Sequence, residues 1–144
     1  MILFFDTSSL VKLFSKESGS EKVKKLVSAP DNEIIVIELA CAEIISALYR
    51  KYRNNELAEE KLDAIQQAIE DQFELFTVIP INSDLIEETK KLIKQYGKYY
   101  GLRTLDAIHI AGYKSVTDNS WQFVSSDQNQ LSIVQKMNYQ TIVT

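Results

Sequence analysis

The sequence predicts an α/β fold in which a mainly parallel sheet is covered by helices on both faces. Five short segments are largely apolar rather than alternating, which suits strands buried on both sides. Segments of helical period separate them, as βαβ connections require. The composition agrees: 144 residues, 45% of them hydrophobic and 25% charged, with only 4 Gly and 2 Pro, suit one domain with its own core. They exclude collagenous, low-complexity and disordered chains.

Ile2-Leu3-Phe4-Phe5 is the first strand, wholly apolar. Asp6-Thr7-Ser8-Ser9 follows, dense in helix-capping residues, and Leu10, Val11, Leu13 and Phe14 then take helical spacing. Ser18-Gly19-Ser20 breaks that helix, and Glu21 to Ser28 forms a second short one. The turn Ala29-Pro30-Asp31-Asn32 leads into a β-branched strand, Glu33 to Val36. A long helix is expected over 38–53, where Leu39, Ile44, Ile45, Leu48, Tyr49 and Tyr52 keep near-helical period until Asn54-Asn55. Another helix covers 57–73, and a strand over 75–79 is closed by Pro80.

Asn82-Ser83-Asp84 caps a helix expected to stop near Tyr96, with 97–101 as a connector. The next helix is Arg103 to Val116. Trp121 to Val124 is a fourth strand, ended by Ser125-Ser126-Asp127. Gln128 to Lys136 is the last helix, and Tyr139 to Val143 closes the chain as a strand. With no repeat or internal boundary, the expectation is one complete domain over 1–144.

One Cys cannot form an internal disulfide and leaves no Cys-based zinc site. Residues 1–5 are too few for a signal segment, and Glu38 and Glu43 break the longest apolar stretch. A cytoplasmic location is expected. The net charge of −4 argues against a protein that grips nucleic acid through a global basic surface. It leaves open an enzyme that brings cations to a phosphate, because such a site needs carboxylates of its own.

Ligands of open parallel sheets bind outside the carboxyl ends of the strands, where strand order reverses. Asp6 and Asp127 each directly follow an expected strand. Each is also read as a helix cap, although Thr7, Ser8 and Ser9 could cap the first helix without Asp6. Asp106 falls in a helix that is apolar on most sides, where a carboxylate needs a partner: Arg103 one turn earlier, or a cation. Glu43 interrupts the apolar side of the long helix, with small neighbours that leave room for an approaching group, or else sits at a solvated edge. Four carboxylates without His or Cys ligands suit hard cations such as Mg²⁺ or Mn²⁺, and such ions suit phosphate chemistry.

Four segments together resemble the PIN-domain nucleases, and closely the small VapC-type toxins. They are Phe5-Asp6-Thr7-Ser8-Ser9-Leu10-Val11-Lys12, Ala42-Glu43-Ile44, Leu102-Arg103-Thr104-Leu105-Asp106-Ala107-Ile108-His109, and Val124-Ser125-Ser126-Asp127. The resemblance implies a three-layer α/β/α sandwich with a mainly parallel five-stranded sheet. It implies that Asp6, Glu43, Asp106 and Asp127 form a catalytic, metal-binding quartet for Mg²⁺ or Mn²⁺. Ser8 and Ser125 would orient a metal-bound water. The implied activity is cleavage of single-stranded RNA by metal-activated water. The implied partners are a cognate antitoxin protein, which covers the acidic groove, and a second copy of the chain. Gly112-Tyr113 departs from the Ala-rich continuation often found after the His in this family.

His109 is read as a helix-packing residue or a support to the site. Arg103 is left between an ion pair with Asp106 and a contact to phosphate. Arg50-Lys51-Arg53 and Lys90-Lys91-Lys94-Lys98 are solvated faces that could also touch an RNA backbone. Two other classes compete. One is a PIN-fold module that binds RNA or protein without cutting. The other is a phosphoryl-accepting α/β domain, which lacks support: Ser8 stands where a dehalogenase-like phosphatase needs an acid, and Ile79-Pro80 where a receiver needs Asp.

Overall fold

A computed structural model describes residues 1–144. Five strands form one wholly parallel sheet: β1 Ile2–Phe5, β2 Glu33–Ile37, β3 Thr77–Ile79, β4 Gln122–Ser125 and β5 Gln140–Val143. Their spatial order is β3-β2-β1-β4-β5. The chain therefore builds outward from β1 on one side, then returns to lay β4 and β5 on the other. That reversal makes the carboxyl ends of β1 and β4 the switch point where ligands bind in such sheets.

The apolar strands serve two cores at once. Phe4, Ile35, Ile37 and Phe123 face one core with helices α5 (Ser83–Tyr100), α6 (Thr104–Val116) and α7 (Gln128–Lys136). Leu3, Phe5, Ile34, Val36 and Val124 face the other. There they meet the four-residue α1 (Thr7–Leu10) and α2 (Ser20–Ser28), with the long helices α3 (Leu39–Arg53) and α4 (Glu59–Phe73). Strand side chains alternate with period two, so consecutive apolar residues go to opposite faces and each must be apolar. The three-layer α/β/α architecture is as the sequence predicts. None of the helices is long and apolar enough to cross a membrane.

Several expected boundaries differ by one or two residues, and the first helix is α-helical only over Thr7–Leu10, with a 3-10 turn over Val11–Leu13. The largest shift is at the end of α5. Gly97 does not end α5, which runs on to Tyr100 and stops at Gly101 in the left-handed region, φ 63°. A helical Gly costs about 1 kcal/mol relative to Ala. Burial of Leu92 and Tyr96 against the sheet holds the helix through it. Only Gly101 adopts the backbone that a left-handed cap requires.

Gly112 lets α6 close on the sheet. A Cβ added there would lie 3.0 Å from Ile37 Cδ1 and 3.4 Å from Phe4 Cζ. The next residue, Tyr113, is fully buried; its ring packs on Phe4 and Phe123, and its hydroxyl donates to the Trp121 carbonyl at 2.9 Å. The Gly-Tyr pair thus trades helix propensity for a closer approach and a large buried ring. Gly112→Val is expected to lower stability by about 1–3 kcal/mol through overpacking, read as a lower denaturant midpoint at unchanged slope.

Candidate functional site

Asp6 lies at the carboxyl end of the central strand and is 4% exposed. Its backbone N–H donates to the Val124 carbonyl at 3.0 Å, which fixes it to β4. Its side chain caps α1, Oδ1 accepting the Ser9 N–H at 3.1 Å. Ser8 Oγ stands 2.9 Å from both carboxylate oxygens, and Ser125 Oγ 3.0 Å from Oδ2. The capping and buried-charge readings are therefore both true.

None of these donors is a cation. Lys12, the nearest basic residue in sequence, gives its ammonium to the Thr144 carbonyl at 2.9 Å instead. Burial pushes the Asp6 carboxyl above its ordinary pKa, against the lowering hydrogen bonds from Ser8, Ser9 and Ser125.

Glu43, on α3, reaches toward the same end of the sheet. Thr7 Oγ1 donates to its Oε1 at 2.7 Å, and His109 Nε2 lies 2.6 Å from the same oxygen. Thr7 Oγ1 and His109 Nε2 are 3.2 Å apart, so the three groups form a closed triangle. Burial raises the Glu43 pKa, but the hydrogen bonds from His109 and Thr7 outweigh it and leave the carboxyl below its usual value. His109 is 2% exposed, and its Nδ1 is buried with no hydrogen-bond partner.

Asp106 sits in the first turn of α6, where the helix dipole favours a carboxylate. The expected pair with Arg103 forms: Nε is 2.8 Å from Asp106 Oδ2. The same guanidinium places Nη2 3.6 Å from Asp127 Oδ2, so Arg103 spans both acids. Asp127 caps α7 through Oδ1, which accepts the N–H groups of Asn129 and Gln130 at 2.8 and 3.1 Å. Gln130 Nε2 in turn donates to the Asp106 carbonyl at 3.2 Å, tying α7 to α6.

The fold thus gathers all four acids at the carboxyl edge of the sheet, each held by its own polar contacts. As the side chains stand, no three metal-ligating groups converge on one point. Sequence reasoning missed Thr7 and Gln130 as connectors and the reach of Arg103 to Asp127, and left His109 open. Their only signal was position: Thr7 directly follows Asp6, His109 comes one turn after Asp106, and Gln130 one turn after Asp127.

A groove of about 510 Å³ opens beside Glu43. Thr7, Ser8, Ser46 and Ala47 line it near the acid, and Arg50 and Lys51 lie two helical turns further along α3. A smaller groove of about 290 Å³ runs from Glu43 past Arg103 to Asp106. Leu105, 48% exposed, borders both. The largest groove, about 570 Å³, lies elsewhere, between the end of β3, α5 and α6, and includes none of the four acids.

The PIN domain family model matches residues 3–130. The ribonuclease VapC45 of Mycobacterium tuberculosis is 27% identical over 117 residues, covering 81% of this chain and 78% of that protein. Among solved structures, a toxin–antitoxin complex from Klebsiella pneumoniae aligns with TM-score 0.62 at 20% identity, over 90% of each chain. The crystal structure of Mycobacterium tuberculosis VapC20, a sarcin-ricin loop cleaving toxin, aligns with TM-score 0.67 at 17% identity, over 90% of this chain and 93% of that one.

The raised Asp6 pKa has a sign that can be measured. A carboxyl that holds its proton more tightly when folded contributes stability that is complete below its unfolded value, and that is lost as pH rises through the folded value. In EDTA, the melting temperature of Asp6→Asn is therefore expected to gain on wild type between pH 4 and 7, by on the order of 2–4 °C for each kcal/mol. A difference that stays flat with pH would contradict the assignment.

Proposed function

The chain belongs to the PIN-domain family, and on that premise we propose that it is a VapC-type toxin ribonuclease that uses Mg²⁺ or Mn²⁺ to cleave single-stranded RNA in the cytoplasm. The observation that carries this reading is Asp6: a carboxylate buried at the switch point, surrounded by neutral donors and paired with no cation. A divalent ion would remove the penalty that burial places on it. The donor set fits, because Asp6, Glu43, Asp106 and Asp127 offer only carboxylate oxygens, the ligands of hard cations.

These four residues would hold the ion, with Asp106 and Asp127 giving up their share of Arg103 to do so. When bound, the ion supplies Lewis-acid charge to the phosphodiester and makes water a nucleophile near neutral pH. The chain's own groups do the rest. Ser8 and Ser125 fix both Asp6 oxygens. Gln130 keeps the two acid-bearing helix starts together. Arg103, whose side chain is 74% exposed while it pairs with the acids, would meet phosphate once released from them.

The substrate's path follows the grooves. Arg50 and Lys51 lie seven and eight residues beyond Glu43 on α3, roughly 10–12 Å at 1.5 Å per residue. A strand whose scissile phosphate lies at the acids would lay a neighbouring phosphate on this pair. An antitoxin partner is supported by the Klebsiella toxin–antitoxin complex with the same fold. The acidic centre suits a basic side chain from such a partner, and a homodimer belongs to the same proposal.

The separation of the acids into groups already satisfied by Arg103, His109 and serines favours one competing reading, a module that binds RNA or protein without cutting. Activity decides between them. Labelled single-stranded RNA with Mn²⁺ is expected to be cut to 3′-hydroxyl and 5′-phosphate ends. EDTA should abolish cutting, and Asp106→Asn should slow it by about 100-fold or more. A folded protein, free of co-purified inhibitor, that cuts nothing in Mn²⁺ would establish the binding module.

The groove makes a separate prediction. In an Asp106→Asn background, replacing Arg50 and Lys51 by Gln should weaken RNA binding and flatten its salt dependence by about 0.7 for each phosphate that is no longer neutralised. Unchanged salt dependence would remove the phosphates from this path.

A further inference from the structure

We infer that His109 is a positioning residue whose Nε2–H, together with the Thr7 hydroxyl, holds Oε1 of Glu43 and leaves Oε2 as the one oxygen this acid presents to a divalent cation. The inference rests on the metal-dependent reading of the acidic centre, and it assigns His109 a role beyond helix packing.

The argument begins at the other ring nitrogen. Nδ1 is buried and meets no donor or acceptor. An N–H there would be a buried donor without a partner, a cost of about 1–3 kcal/mol. Both the Nδ1–H tautomer and the imidazolium carry that N–H. The Nδ1–H tautomer would also turn the Nε2 lone pair on a carboxylate oxygen 2.6 Å away. The Nε2–H tautomer is the least costly, since it sends its single N–H to Glu43 and leaves an acceptor rather than a donor without a partner at Nδ1. His109 is thereby removed as a general base: one nitrogen is committed to Glu43 and the other is sealed from water.

Thr7 completes the clamp. Its hydroxyl donates to the same Oε1 at 2.7 Å. Its oxygen, 3.2 Å from His109 Nε2, can take a share of that N–H. Every hydrogen bond to the Glu43 side chain ends on Oε1, and none uses Oε2.

The clamp also keys Glu43 to the other acids. Thr7 is the residue after Asp6, at the end of β1, and His109 lies one turn after Asp106 on α6. Glu43 belongs to α3, which packs on the opposite face of the sheet from α6. Without the clamp, its position relative to Asp106 would depend on packing between helices that the sheet separates. Partners that orient a metal ligand typically change affinity 10–100-fold when removed.

The chain contains one His, so its imidazole signals need no assignment. In metal-free, tag-free protein at pH 7, long-range ¹H–¹⁵N spectra are expected to show a protonated Nε2 and a bare Nδ1. A protonated Nδ1 overturns the inference whatever the metal does. Mn²⁺ affinity, read by calorimetry, is expected to fall about 10–100-fold in His109→Phe. It should recover in part in His109→Gln, whose amide N–H can reach the same oxygen.

In a Glu43→Gln background, His109→Phe should cost no further affinity, because the two residues act as one unit. Unchanged Mn²⁺ affinity in His109→Phe, or an equal loss with and without Glu43, would reduce His109 to packing and overturn the inference. Wild-type protein with the expected tautomer but no Mn²⁺ uptake would overturn the metal-dependent reading itself, and this inference with it. Full Mn²⁺ uptake with the wrong tautomer would sink the inference alone.

Discussion

A carboxylate buried at the end of the central strand is the constraint on which the site depends. Asp6 cannot turn to solvent, because helices cover both faces of the sheet around β1. Desolvation of that charge has to be offset locally. Ser8, Ser9 and Ser125 supply the donors, and they come from both sides of the switch point: the start of α1 and the end of β4. The hydrogen bond from the Asp6 N–H to Val124 fixes the two strand ends at the spacing this cage requires. Neutral donors reduce the penalty without cancelling the charge, so the Asp6 carboxyl stays above its ordinary pKa, and a cation is the group that complements it.

The same topology explains why the remaining acids come from three separate elements. Glu43 rides on α3, a helix of one core; Asp106 rides on α6, a helix of the other; Asp127 starts α7. The shared core of α6 and α7 helps to place Asp106 and Asp127, but no core sets the distance from Glu43 to either, because the sheet lies between. Polar contacts across its carboxyl edge do so instead. His109 and Thr7 hold Glu43, Arg103 spans Asp106 and Asp127, and Gln130 ties α7 to α6. Such networks act in a low-dielectric surround, where a satisfied group is strongly oriented and an unsatisfied one is costly. The exposed Arg103 is the exception, held loosely enough by solvent screening to leave its acids.

The architecture was legible because burial on both faces leaves a strong mark. A strand such as Ile2-Leu3-Phe4-Phe5 has no room for alternation, and its all-apolar run reads directly as a central parallel strand. The end of α5 was less legible: Gly97 looks like a stop, and only tertiary burial of Leu92 and Tyr96 carries the helix past it. Among the site residues, Asp6 was conspicuous as a charge ending an apolar strand. Asp106 stood out as a carboxylate in a mostly apolar helix, and its first-turn position in α6 favours its charge. The pairings of Thr7 with Glu43 and of Arg103 with Asp127 span 36 and 24 residues of chain. A single sequence has no local signal for pairs so far apart, which is why His109 stays open there between packing and a support to the site.

Diffraction from crystals grown in Mn²⁺, collected at the manganese absorption edge, is the most direct test that these acids hold an ion. The expected result is an anomalous peak bounded by the carboxylates of Asp6 and Asp106, with Arg103 withdrawn from Asp106. Arg103 still spanning Asp106 and Asp127 at saturating Mn²⁺, with no peak between the acids, would contradict it.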